Sequence, residues 1–350
     1  MKILYIVPSL IQAGPVNVVR DLTRVMMEHG HDCEVAYFDD IKNRPLNNFQ
    51  CRCFKHNDIK WNNYDIIHTH GFRPDLIAKL RAPRSVRNRL ISTMHNLVFE
   101  ENAMIHGRLK GGIISRLELW AASSHRFIVT LTNVAKEYYT RYFTPEKLTV
   151  CCNTCFLPDT GPNQDEIATI ANFRESSQAE YLIGTHCFIS RRKGLEQVIK
   201  TLPLLPKVSF VIIGSGPEQS ALEELAKKLN VTHRVLFLGH KKDAARLLPL
   251  LDLYVIPSRS EGFPLALLEA AASGVPSVSS DIDIFKETFP DHILPKFKLD
   301  NIDSISETLK NSLEARKELG NKIQQHFLEA YSPEVFYNQH ISLYKKIANK

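Results

Sequence analysis

The feature that most restricts the fold of this chain is an alternation of short apolar runs with amphipathic stretches, which lapses once and then restarts. Residues 2–7 read as a strand and 16–29 as a helix. Residues 32–38, 65–69, 90–94, 127–131 and 147–151 read as further strands, with helical patterns between them. Strands joined through helices pair in parallel, and helices cover both faces of the sheet. Around residues 153–177 the pattern lapses into Pro158, Thr160, Gly161, Pro162, Asn163 and scattered polar residues, which suggests a linker. It resumes with strands at 181–189, 209–213, 235–238, 253–256 and 276–279, and with helices at 195–202 and 218–229. The expectation is an α/β chain of two doubly wound parallel-sheet domains, 1–155 and 179–330. A linker spans 156–178, and a C-terminal helix, 331–350, packs back toward the first domain. Sheets of this kind bind ligands at the carboxyl ends of their strands, and two facing domains form a cleft.

Composition removes several classes. Apolar residues are 44% and charged residues 23% of the 350, ordinary for a water-soluble protein. Apolar runs are too short or too charged to span a bilayer as a helix, and Met1 to Ile11 reads as a first strand rather than a signal peptide. The seven cysteines are odd in number and irregularly spaced, so they read as reduced thiols of a cytosolic protein and not as a zinc site. Residues 1–155 hold 21 Lys and Arg against 14 Asp and Glu, whereas residues 156–350 hold 23 against 24. The basic excess therefore lies in the first half, with a run at Arg73, Lys79, Arg81, Arg84, Arg87 and Arg89. Such a face suits an anionic membrane surface or a pyrophosphate-linked acceptor. No aromatic-interleaved or recognition-helix pattern accompanies it, so no nucleic-acid partner is expected.

One segment carries chemistry: Pro257-Ser258-Arg259-Ser260-Glu261-Gly262-Phe263-Pro264, followed by the Leu- and Ala-rich stretch to Gly274. A strand ends at Ile256, and a helix is expected from Pro264, which suits a first helical position. Glu269 is the only charge in that helix and shares a face with Leu265, Leu268 and Ala272. Burial there demands a partner, either ligand hydroxyls or a Lys or Arg of the protein. Glu261 precedes the helix start, which favours a bound anion.

Residues 257–276 resemble the signature of the retaining group 1 glycosyltransferases, family 4, of the GT-B fold, in which two glutamates are separated by seven residues. The turn at 211–217, the strand and glycine at 235–239, Lys193-Gly194, Ala13-Gly14, residues 64–70 and Thr93 to Asn96 resemble further landmarks in the same order. The resemblance spans nearly the whole chain. It implies two Rossmann-like domains and transfer of a hexose from a nucleoside diphosphate sugar, UDP-hexose first and GDP-mannose next, to a glycan or lipid-linked hydroxyl. It implies no metal or other cofactor. By position, Glu269 matches the ribose-binding carboxylate and Glu261 the residue against the donor sugar. The backbone of Gly262, Phe263 and Pro264 lies near that sugar. Lys193 matches the lysine that neutralises the diphosphate, and Gly14 and the Gly216 turn approach the donor. Leu238 and Gly239 flank the base, and His95 touches the sugar. The family's usual arginine five residues before the lysine is Phe188 here, so Arg191 or Arg192 is left to supply that charge.

These residues define a mechanism to test. His95, Glu261 and Lys193 form the catalytic set, with Glu261 orienting the sugar rather than attacking it, at the cytoplasmic face of a membrane in envelope polysaccharide or glycolipid synthesis. The alternatives are a sugar-nucleotide epimerase of the same fold and an inactive nucleotide-sugar-binding module. A nicotinamide dehydrogenase is disfavoured, because residues 8–16 lack GxGxxG. His68 and His70, two apart at a strand end, lack neighbours to complete a metal site and read either as lining the acceptor side or as structural.

Overall fold

The computed structural model describes residues 1–41 and 48–348. The chain divides into two units, Met1–Thr154 with Tyr331–Lys350, and Cys155–Ala330.

Unit 1 contains a parallel sheet of seven strands: β1 (Lys2–Ser9), β2 (Asp32–Asp39), β3 (Arg52–Lys55), β4 (Ile66–His70), β5 (Leu90–Met94), β6 (Phe127–Thr130) and β7 (Leu148–Val150). Their order is β3-β2-β1-β4-β5-β6-β7. The helices between them are α1 (Gly14–Glu28), α2 (Phe72–Arg81), α3 (Val98–His106), α4 (Arg108–Ala122) and α5 (Asn133–Tyr139). Central strands are apolar on both sides because helices cover both faces; Ile3, Leu4, Tyr5, Ile6 and Val7 of β1 are all buried. Edge strand β3 escapes the sequence pattern. It is four residues long and two of them are Arg52 and Lys55, as suits an exposed edge.

Unit 2 contains a six-stranded parallel sheet: β8 (Tyr181–His186), β9 (Val208–Ile213), β10 (Val235–Gly239), β11 (Leu253–Ile256), β12 (Ser277–Ser280) and β13 (Lys296–Phe297). The order is β10-β9-β8-β11-β12-β13. Its helices are α6 (Gln164–Ser176), α7 (Leu195–Thr201), α8 (Gln219–Lys228), α9 (Leu265–Ala272), α10 (Asp283–Thr288), α11 (Ile302–Glu314) and α12 (Arg316–Ala330). Two expectations are corrected here. The stretch 156–178 is not all linker, because it carries α6. The helix starts from a capping box in which the Asn163 side chain accepts from Glu166 N and Glu166 accepts from Asn163 N. Arg246 binds Glu166, and Arg174 Nη2 lies 2.5 Å from Asp252, so α6 is tied into unit 2. The strand expected over 181–189 ends at His186, and the next residues turn to carry the site loop.

The last helix, α13 (Pro333–Ala348), belongs to unit 1. Its Tyr344 hydroxyl lies 2.7 Å from His68 Nδ1 and 3.3 Å from the Tyr5 hydroxyl, and Gln339 accepts from Cys152 N at 2.8 Å. Among the described residues no helix is long and apolar enough to cross a membrane.

Candidate functional site

Each sheet reverses its winding once, between β1 and β4 and between β8 and β11. At such a switch point the loops leaving adjacent strands diverge and open a crevice at their carboxyl ends. In unit 2, β8 and β11 pair through Ile183 with Leu253 and Gly184 with Tyr254. The loop after β8 carries Arg191, Arg192 and Lys193, and the loop after β11 carries Ser258 to Phe263. The two are locked together. Arg259 N donates to Arg192 O at 2.8 Å, and Gln197 Nε2 donates to Pro257 O at 3.1 Å. Gly194 adopts φ +62°, and a Cβ there would stand 2.3 Å from Pro257 O, so only glycine permits this approach.

Glu261 is the hub of the crossing. Its Oε1 accepts from Lys193 Nζ at 2.6 Å and from Ser258 Oγ at 2.6 Å, and its Oε2 accepts from Arg192 Nη1 at 3.0 Å. The side chain is only 6% exposed. Burial alone would raise its carboxyl, but Lys193 and Arg192 beside it prevail and hold it below the usual range. Two cations against one carboxylate leave the cluster net positive. Arg191 is exposed beside it. Phe188, where an arginine is expected, is 67% exposed and brings no charge.

Glu269 lies on α9, which is otherwise Leu and Ala. The partner it has is neither of those expected: His186 Nε2, at the end of β8, donates to its Oε2 at 2.5 Å. The carboxylate stays 30% exposed and so keeps accepting capacity toward a ligand. His186 also lines a pocket with Thr185, Lys193, Tyr254, Pro257 and Ser258. The sequence reading missed His186. Its signal was its place as the last residue of the strand that neighbours β11.

Other candidates divide by cause. Gly216 is required by protein packing, since its Cβ would lie 2.1 Å from Ile189 O. Gly239 adopts φ +69° and accepts from Gly214 N at 2.9 Å; with Leu238 it ends β10 at the sheet edge, two strands from β8. Gly262 is partly exposed, Phe263 and Pro264 are buried, and Pro264 caps α9 rather than opening it. In unit 1, Gly14 begins α1, and a Cβ there would meet no protein atom within 4 Å.

His95 follows β5, and its Nε2 shares a hydrogen bond with His70 Nδ1 at 3.0 Å. Burial lowers the pKa of His95 to about 4. Burial, then neighbouring histidines, lower His68 and His70 well below the usual histidine range. His68 is enclosed between Tyr344 and Thr93, 2.7 Å from each. Both His68 and His70 are fully buried, so the acceptor-lining reading is set aside for the structural one. Among the described residues no three His, Cys, Asp or Glu side chains converge to hold a metal.

Comparison with known proteins matches both halves. The model of the glycosyl transferases group 1 matches residues 172–327, and that of Glycosyltransferase Family 4 matches residues 13–154. An Escherichia coli O-antigen biosynthesis glycosyltransferase, WclY, is 29% identical over 99% of this chain and 100% of its own length. An E. coli UDP-Gal:alpha-D-GlcNAc-diphosphoundecaprenol alpha-1,3-galactosyltransferase is 27% identical over 72% of this chain and 67% of that one. Among solved structures, Anabaena Alr3699/HepE in complex with UDP and glucose superposes with a TM-score of 0.79 at 15% identity. The match covers 99% of this chain and 100% of that one.

Proposed function

Because the chain belongs to the group 1 glycosyltransferases of GT-B type, we propose that it moves a hexose from a UDP-sugar to an acceptor hydroxyl, with retention at the anomeric carbon. The observation that carries this reading is the grip of buried Glu261 on both Lys193 and Arg192 at the switch point of unit 2. As the glycosidic bond stretches, charge gathers on the departing diphosphate. Preplaced cations stabilise that charge more than they stabilise the bound donor, which lowers the barrier. Glu261 keeps both cations fixed at the loop crossing, and its orienting effect on the sugar acts from the same place. Glu269, steadied by His186, offers its exposed oxygen to the ribose hydroxyls. The chain's own cations balance the diphosphate, so turnover needs no divalent ion. For His95 toward the sugar, and for Leu238 and Gly239 toward the base, the support is the family resemblance.

The acceptor we propose is a glycan on a lipid diphosphate, in envelope polysaccharide or glycolipid synthesis at the cytoplasmic face. The names of the two E. coli relatives support this reading, and the UDP and glucose complex of a protein of similar fold supports the donor. The test is a panel of UDP-hexoses and GDP-mannose, scored for thermal stabilisation and for nucleoside diphosphate release with and without EDTA. If no nucleotide sugar stabilises the protein, the reading fails. Exposed Phe188 favours a second reading, a module that binds the donor without transferring it; stabilisation without diphosphate release would select that one.

A further inference from the structure

His70 ends β4, and His95 follows the end of β5. Parallel pairing sets His70 opposite Thr93, two residues before His95, and this register brings the two imidazoles together. Their ring centroids are 5.2 Å apart, and His70 Nδ1 lies 3.0 Å from His95 Nε2. The two differ in access: His70 is wholly buried, whereas His95 is partly exposed. His70 has little freedom to turn. Its ring packs 4.4 Å from that of His68, which Tyr344 and Thr93 hold from 2.7 Å each.

One hydrogen bond joins the two rings. Burial keeps both neutral at about pH 7, so one ring must donate and the other accept. The far nitrogen of His70, Nε2, decides which. It is buried and has no hydrogen-bond partner among the described residues. If His95 donated, the proton of His70 would sit on Nε2, as a buried N–H with no acceptor. Orphan donors of that kind are rare and costly. If His70 donates, its proton sits on Nδ1, Nε2 carries no hydrogen, and no donor is orphaned.

We propose that His70 is a positioning residue that donates from Nδ1 to His95 and thereby holds the His95 proton on Nδ1. The His95 ring makes no other hydrogen bond among the described residues, so its Nδ1–H is left to a ligand oxygen. Fixing one imidazole nitrogen in this way sets what the other offers. The inference rests on the proposed contact of His95 with the donor sugar and gives that contact a direction: a sugar hydroxyl accepts from His95. His70 itself touches no substrate, and its effect passes through His95.

The tautomer can be read directly. In protein labelled with nitrogen-15 histidine, protonated and bare ring nitrogens separate widely in long-range hydrogen–nitrogen spectra. Among the 14 histidines, the signals that vanish in His70→Asn and in His95→Asn assign the pair. At about pH 7 both should carry the proton on Nδ1 with Nε2 bare. A His95 proton on Nε2, or an even mixture of the two forms, would overturn the proposal, and this arm needs neither turnover nor a stable variant. Kinetics supply the second arm. His70→Asn keeps a donor near the place of Nδ1 and should hold kcat/KM for the preferred donor within about threefold of the parent. His70→Gln is nearer to histidine in volume but carries its amide one bond farther out, and should lose about tenfold. A histidine that only filled space would favour Gln, so Gln equal to the parent or better than Asn would also overturn the proposal. A chain that shows the expected tautomer yet turns over no nucleotide sugar would uphold the role of His70 toward His95 and remove the transferase reading instead.

Discussion

Lys193 Nζ lies 2.6 Å from Oε1 of Glu261, so the lysine expected to meet the diphosphate is held in place by the carboxylate expected to meet the sugar. The two roles are therefore coupled. Lys193→Ala removes a transition-state cation and should cost roughly a hundredfold or more in kcat. Glu261→Gln removes the charge that holds Lys193 and Arg192, leaving Arg192 its bond to Ser260 O, and should cost a similar factor. Steady-state kinetics with the preferred donor would check both, and wild-type turnover in the pair would remove the assignment.

The same carboxylate links the site to acid stability. Because its folded pKa is held below its unfolded value of about 4.5, its contribution is whole above that pH and drains as pH falls through the folded value. Urea melts of Glu261→Gln between about pH 3 and 5 should show a shallower loss of stability than the parent. An unchanged slope would mean that the ion pairs contribute nothing.

Glu269 and His186 make a separable prediction. If the free capacity of Glu269 receives ribose hydroxyls, Glu269→Ala should weaken UDP binding about tenfold or more in calorimetry. The parent should also prefer UDP to 2′- or 3′-deoxy UDP, and the variant should not. His186→Asn should weaken UDP binding less than Glu269→Ala.

Two glycines should behave oppositely. Gly14→Ala places a methyl in open space at the first turn of α1, so stability should hold or rise slightly, by up to about 1 kcal/mol. Donor turnover should nonetheless fall if a diphosphate comes close there. Gly216→Ala drives a methyl into Ile189 O and should cost about 2 kcal/mol or more. Thermal melts beside single-turnover assays would separate the two.

Acid should weaken unit 1 through its histidines. Burial lowers His95 and His340 to about 4, and His68 and His70 go down with them. The unfolded chain takes up protons near pH 6.5, while the folded unit refuses them until about pH 4. Stability is therefore whole above about pH 6.5 and drains as pH falls toward 4. Trp61 and Trp120 both lie in unit 1, so tryptophan emission follows it selectively. His340→Leu should remove about 3 kcal/mol of the difference between pH 7 and pH 4.

What the sequence made legible was periodicity and local chemistry. Strand β1 and helix α9 are visible because parallel strands and their covering helices must be apolar, and the glutamates of residues 261–269 stand out against that background. Edge strand β3 was not visible, because Arg52 and Lys55 are what an exposed edge should carry. Helix α6 was masked by the Pro and Gly just before it, although its Asn163 and Glu166 cap was there to read. The grip of Glu261 on Lys193 and Arg192, the His186 partner of Glu269 and the contact of Tyr344 with His68 join residues far apart in sequence. Only sheet order brings them together, and no local pattern encodes that order.

The return of α13 to unit 1 sets an order of assembly. Unit 2 is one unbroken stretch, Cys155–Ala330, and all of it has been made before the ribosome adds the first residue of α13. Unit 1, begun first, is finished last. Until α13 is made, His68 lacks its Tyr344 partner and the side of α1 and β4 that α13 packs against stays open to solvent. A nascent chain stalled near residue 330 should therefore hold a protease-resistant unit 2 beside a unit 1 that is still cleavable, and losing α13 should harm the half of the protein made earliest.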